Sequence, residues 1–182
     1  MTVKFLLITA LFAWGVTVPS FAQDGGIRQG LHTPDGTGEV FMGGPNGKLR
    51  IEVLVPPEAT AGAFDVIRET HFKGFAPPKH YHPTASETFY VEKGRYTWTV
   101  GEDVYEVKPG DYVHVPANTL HTMISHDEGI VHMTYQPSGL VQRLRMEKAF
   151  AKQLKEDETF GASLRALTGH IDYHPPEEVG KK

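Results

Sequence analysis

From Lys48 to Gln136 short β-type runs alternate with turn residues. The predicted strands are Leu49–Val55, Ala63–Phe72, Lys79–His82, Glu87–Glu92, Arg95–Val100, Val104–Val107, Tyr112–Val115, His121–Ser125 and Ile130–Gln136. Turns fall at PPEATAG, KGFAPP, KG, GED, KPGD, PANT and HDEG. Many short strands, spaced roughly 8–12 residues apart, indicate an antiparallel sandwich or barrel. No internal repeat is visible, so the pattern describes one such unit.

The flanks read differently. Lys4 supplies a positive charge, Phe5 to Val18 is an almost unbroken apolar run, and Ser20-Phe21-Ala22 ends in a small-x-small pattern. This is the form of a secretory signal over residues 1–22, cleaved before Gln23, and the run is short for a bilayer span of about 20 residues. Residues 23–47, rich in Gly, are expected to form an N-terminal arm without an element of their own. After a β-domain at 48–137, residues 138–182 switch to helical spacing. Ser138 is a candidate cap, and Leu140, Val141, Leu144, Ala151 and Leu154 recur at helical intervals. A second helix is expected over Ala162 to Thr168, with a loose tail from His170.

Composition narrows the function classes. The 182 residues suit one domain, 40% hydrophobic and 22% charged content is ordinary for a globular protein, and a net charge of −4 without a basic run points away from nucleic acid. With no cysteine, neither a lipid-anchored cysteine nor a disulfide framework is possible. The expected location is outside the cytoplasm, periplasmic or extracellular, with no membrane association after signal cleavage.

Chemistry concentrates in two stretches, GFAPPKHYHPTASETFYVEKG (Gly74–Gly94) and GDYVHVPANTLHTMIS (Gly110–Ser125). On a strand, His80 and His82 face the same side about 6–7 Å apart, so both imidazoles can reach one ion at about 2 Å. Glu87 and His121 complete a set of three nitrogens and one oxygen. A hairpin centred on Lys93-Gly94 would set Val91 against Tyr96, Phe89 against Trp98 and Glu87 against Val100. Phe89, Tyr96, Trp98 and Met123 are therefore expected to wall an apolar cavity above the ion. Ten histidines are present, and most need no role. His114 reads as a wall or surface residue, and His71 and His132 as hydrogen-bonded core histidines. His32, His126, His170 and His174 read as solvated, and Glu69 and Glu106 as exposed strand carboxylates.

These stretches resemble the paired motifs of the cupin superfamily, G-x5-H-x-H-x3-4-E-x6-G and G-x5-P-x-G-x2-H-x3-N. The first matches at Gly74, His80, His82, Glu87 and Gly94, the second at Gly110, Pro116 and His121. Asn118 stands where the family has glycine, a mild departure because asparagine tolerates a left-handed backbone. Ser125 stands where the family has asparagine, at a position that is not a ligand. The resemblance implies an all-β double-stranded β-helix, or jelly-roll barrel, with a C-terminal helix. Within the superfamily, GDYVHVPANTLH and the helix after Gln136-Pro-Ser-Gly look like the quercetin dioxygenase-like single-domain cupins. That likeness implies a divalent metal (Fe, Mn, Ni, Cu, Co or Zn), a small-molecule substrate with O2, and Glu87 as both ligand and general base. No inward cation of the kind an oxalate site needs falls on the predicted faces. Non-redox metal chemistry and a non-catalytic binding module stay open beside dioxygenation, as do monomer and homodimer.

Overall fold

The computed structural model describes residues 30–172, so the signal segment and His174 lie outside the described residues. Strands and helices run in the order β1 (Val40–Gly43), β2 (Leu49–Val55), β3 (Asp65–His71), β4 (His80–Tyr81), β5 (Ser86–Lys93), β6 (Tyr96–Val100), β7 (Asp103–Val107), β8 (Tyr112–Val115), β9 (His121–Ser125), β10 (Gly129–Gln136), α1 (Leu140–Ala149), α2 (Ala151–Glu156), α3 (Glu158–Leu167) and β11 (Ile171–Asp172). Alternation explains the strands. In β3, Asp65, Ile67, Glu69 and His71 are buried, and in β5 the buried residues are Glu87, Phe89 and Val91. Successive side chains point to opposite faces, so one face of each strand meets the core.

The strands form two antiparallel sheets, one ordered β1-β2-β3-β10-β5-β8 and the other β11-β4-β9-β6-β7. The all-β double-stranded β-helix with a C-terminal helical region stands. Its barrel is not closed, because among the described residues no hydrogen-bonded pairing joins one sheet to the other. Between them lie Ile67, Val91, Tyr96 and Val131, each fully buried, and Trp98 at 1% exposure. A large apolar side chain so placed contributes about 1.5–3 kcal/mol.

Three local expectations need correction. Residues 23–47 are not only an arm, because β1 pairs with β2 in register Phe41↔Ile51. The Lys93-Gly94 hairpin does not exist. β5 pairs with β10 and β8, whereas β6 pairs with β7 and β9, so Gly94 carries the chain from one sheet to the other. Gly94 has φ +92, and a Cβ there would meet the Gly129 Cα at 2.7 Å, so glycine is required by both conformation and space. The interior face was nonetheless inferred correctly: Phe89 and Trp98 meet across the two sheets with ring centroids 4.4 Å apart.

The third correction concerns the helical segment. α1 has no cap from Ser138. Its N-terminus is served by Asp65 of β3, whose Oδ2 accepts from the backbone N–H groups of Gly139 (3.0 Å) and Val141 (3.1 Å). That carboxylate satisfies donors which the helix itself leaves open. α3 begins at Glu158, capped by Asp157, four residues before the predicted start. Beyond it, Ile171 and Asp172 form β11 and pair with β4 where a loose tail was expected; the rest of that tail, 173–182, lies outside the described residues.

Candidate metal centre

His80 lies on β4 and His82 just after it, Glu87 on β5, and His121 at the start of β9. The two sheets thus each contribute to one cluster, and a nitrogen or carboxylate oxygen from each residue falls within 4.8 Å of the others. β4 pairs with β9 at His80↔His121, which sets those imidazoles side by side with centroids 4.2 Å apart. The turn before β9 depends on Asn118, whose φ is +58 and whose N–H donates to the His82 carbonyl at 2.7 Å. Asparagine meets the left-handed requirement at that position.

The backbone fixes the ring orientations. His80 Nδ1 donates to the Pro78 carbonyl (2.9 Å), His82 Nδ1 to the Gly169 carbonyl (2.8 Å) and His121 Nδ1 to the Thr119 carbonyl (2.8 Å). A carbonyl can only accept, so each Nδ1 carries hydrogen and a neutral ring keeps its lone pair on Nε2. His121 Nε2 lies 2.9 Å from Glu87 Oε2, and His82 Nε2 lies 3.2 Å from Glu87 Oε1. Yet His82 Nε2, Glu87 Oε2 and His121 Nε2 are buried without a well-formed hydrogen bond. Acceptors converging in this way require a cation between them, either a proton or a metal. Three imidazole nitrogens and a carboxylate oxygen suit a divalent transition ion, and the carbonyls behind the rings supply the orienting hydrogen bonds such a site needs.

Electrostatics follow from the same contacts. Burial would raise the Glu87 carboxyl, but the close approach of the His121 and His82 imidazoles outweighs it and holds the group well below the usual carboxylate range. Burial would lower His121, and the Glu87 carboxylate overrides it, so this imidazole is raised. His80 is pushed down to about 4, first by burial and then by the charge of His121. Burial, then the Glu87 charge, raises the Tyr135 hydroxyl to about 12, and that hydroxyl lies 3.1 Å from His82 Nδ1.

Above the cluster is a cavity of about 120 Å³, walled by Leu49, Ile51, Phe75, Phe89, Trp98, Met123, Met133 and Leu140. Phe89, Trp98 and Met123 line it as expected. Tyr96 does not: it is fully buried in the core beside His71, its hydroxyl 3.2 Å from His71 Nδ1. His71 is the expected satisfied core histidine, stacked on Phe75 and bonded to Glu69, so Glu69 is buried where exposure was expected. Glu106 is exposed and accepts from Thr97. His114 is exposed and bonds Thr88. His132 is not a core residue; it is half-buried and pairs with Glu92 at 2.6 Å. His32 is exposed, and His126 is half-buried against Thr97.

Two cavity residues escaped sequence reasoning. His170 is half-buried, lines the cavity and stacks on His80 with centroids 4.4 Å apart. Arg143 of α1 also lines the cavity, so an inward cation is present after all. Helical spacing placed Arg143 between the buried Leu140 and Leu144, the only signal that could have found it. For His170 no signal existed, because its place depends on β11 returning to β4.

Comparison with known proteins agrees with this architecture. Residues 70–136 match the family model described as Cupin domain. A stretch of 71 residues, 38% of this chain, is 39% identical to quercetin 2,3-dioxygenase from Bacillus subtilis (strain 168). The chain spans 21% of the length of that relative. An RmlC-like cupin from Shewanella frigidimarina NCIMB 400 superimposes with a TM-score of 0.50 at 22% identity, covering 62% of this chain and 96% of that one. A predicted oxalate decarboxylase from Thermotoga maritima gives 0.50 at 15% identity, covering 56% and 92%. At those identities the structural likeness speaks to fold alone.

Proposed function

We propose that this chain, whose residues 70–136 match the Cupin domain, is a metal-dependent dioxygenase acting on an aromatic or enolisable small molecule. One observation carries the reading: three imidazoles locked on Nδ1 turn Nε2 toward a buried carboxylate beneath an aromatic-walled cavity. His80, His82, His121 and Glu87 would hold the ion, which when bound supplies Lewis-acid activation of a substrate oxygen and redox coupling to O2. The similarity to quercetin 2,3-dioxygenase supports that chemistry over the segment it covers.

The chain's own residues do the rest. Glu87, buried beside the imidazoles and lining the cavity, is the base that takes the proton from a substrate hydroxyl as its enolate forms. Phe89, Trp98 and Met133 stack against a planar ring and exclude water, which strengthens charge interactions at the cluster. Oxygen-electrode measurements on protein of known metal content, across a panel of flavonols and simpler enols, test this directly. Substrate-dependent uptake is expected, and Glu87→Gln should cut turnover by roughly 10²–10⁴-fold while ligand binding persists. Ligand binding by the parent with no turnover would instead make it a binding module.

Arg143 favours a second reading, non-redox metal chemistry on a carboxylate-bearing substrate such as decarboxylation. Product formation without oxygen uptake would select it. Export completes the proposal. The Lys4, Phe5–Val18 and Ser20–Ala22 pattern supports cleavage after Ala22, and intact mass of protein recovered from its native host should correspond to a chain starting at Gln23.

A further inference from the structure

The metal cavity opens onto a larger groove, of about 1020 Å³, bounded by β1 and the helical segment. Leu49, Ile51, Phe75, Pro77, Arg143 and His170 border both spaces, so they form the neck between them. Five of these bring apolar or aromatic surface to it. Arg143 brings a permanent positive charge.

That guanidinium is poorly served by the protein. Its Nε is buried with no hydrogen-bond partner, and its ion pair with Glu147 is stretched to 4.0 Å. Only 14% of the side chain is exposed, so water compensates little. Of the two carboxylates lining the cavity, Glu69 is engaged by His71 Nε2 at 3.1 Å and Glu87 by the His82 and His121 imidazoles. A second buried donor on the same cavity, Trp98 Nε1, also lacks an acceptor. Leaving buried donors unpaired costs roughly 1–3 kcal/mol each, more when charged, and a ligand that supplies acceptors recovers that cost.

We propose that Arg143 binds a carboxylate of the substrate at this neck, so that the acid group is held there while the remainder of the molecule reaches toward Glu87 and the three imidazoles. A carboxylate matches the planar guanidinium with two parallel hydrogen bonds, and a neutral isostere does not. The substrate class is thus an enolisable or aromatic carboxylic acid. This rests on the proposed function for the identity of the active site, but acid recognition by Arg143 does not depend on metal or on turnover.

The test compares phenylpyruvate with its methyl ester, using calorimetry or tryptophan fluorescence, on the full chain both loaded with Co(II) and stripped of metal. The parent is expected to prefer the acid by roughly ten- to a hundredfold in both forms, the range of a charged hydrogen-bonded pair. Arg143→Gln should reduce that preference to near parity without altering metal content or binding of the ester, and Arg143→Lys should restore part of it. Equal binding of acid and ester by the parent, absence of binding by either, or an acid preference that survives in Arg143→Gln overturns the proposal. If Arg143→Gln does not fold, the decision passes to Arg143→Lys: an undiminished acid preference there would mean that guanidinium geometry is not what is recognised. Loss of the acid preference in the variant together with no oxygen uptake by the parent would refute the dioxygenase reading and leave the carboxylate site standing.

Discussion

At the scale of single residues, the cluster shows how far spacing alone reaches. Two histidines at i and i+2, a glutamate five residues later and a histidine delivered by a Pro-Ala-Asn turn identified four side chains that do converge. The hydrogens on their Nδ1 atoms could not be foreseen, because the carbonyls of Pro78, Thr119 and Gly169 take up their positions only on folding. Buried carboxylates were also invisible. Glu52 is fully buried, accepting from Arg68 (2.8 Å), Arg50 (3.0 Å) and the Gly38 N–H (3.3 Å). Burial alone would raise its carboxyl, and the two guanidiniums instead lower it to about 2. A carboxyl depressed on folding stabilises the protein above its unfolded value near 4.5, and that stabilisation is lost as pH falls through about 2. Glu52→Gln should therefore destabilise by roughly 2 kcal/mol at neutral pH. In denaturant titrations at successive pH values the parent and variant should converge near pH 2, and a constant gap at every pH would refute the assignment.

At the scale of elements, strand identity was legible but pairing was not. Every predicted strand corresponds to one observed, because alternation and turn residues are local. Whether β5 and β6 form a hairpin or belong to opposite sheets depends on which neighbours outcompete, and β10 and β8 take both edges of β5. Phe89 and Trp98 meet either way, since facing each other across two sheets buries the same surfaces as sharing one face. The last element carries the next prediction. β11 pairs Asp172 with His80 and Ile171 with Tyr81, while the His170 ring covers His80. A chain ending at Gly169 should keep its two sheets, judged by circular dichroism, yet lose about tenfold in metal affinity in a chelator competition, as expected when orienting contacts behind a ligand are removed. Unchanged affinity would show that β4 needs no such support.

At the scale of the whole molecule, the centre is assembled from parts far apart in the chain. Glu87 comes from the six-stranded sheet, the imidazoles from or beside strands of the other, and Arg143 and His170 from the C-terminal segment. The sequence by itself determined the β-architecture, the four residues of the candidate metal cluster and the apolar character of the interior, because each rests on periodicity or on residue type at short spacing. Only the tertiary structure decided the sheet membership of β5 and β6, the burial of Glu69, the exclusion of Tyr96 from the cavity, and the presence of a cation at its neck. Those depend on contacts between distant segments, whose energies are set by which surfaces exclude water together rather than by any local pattern.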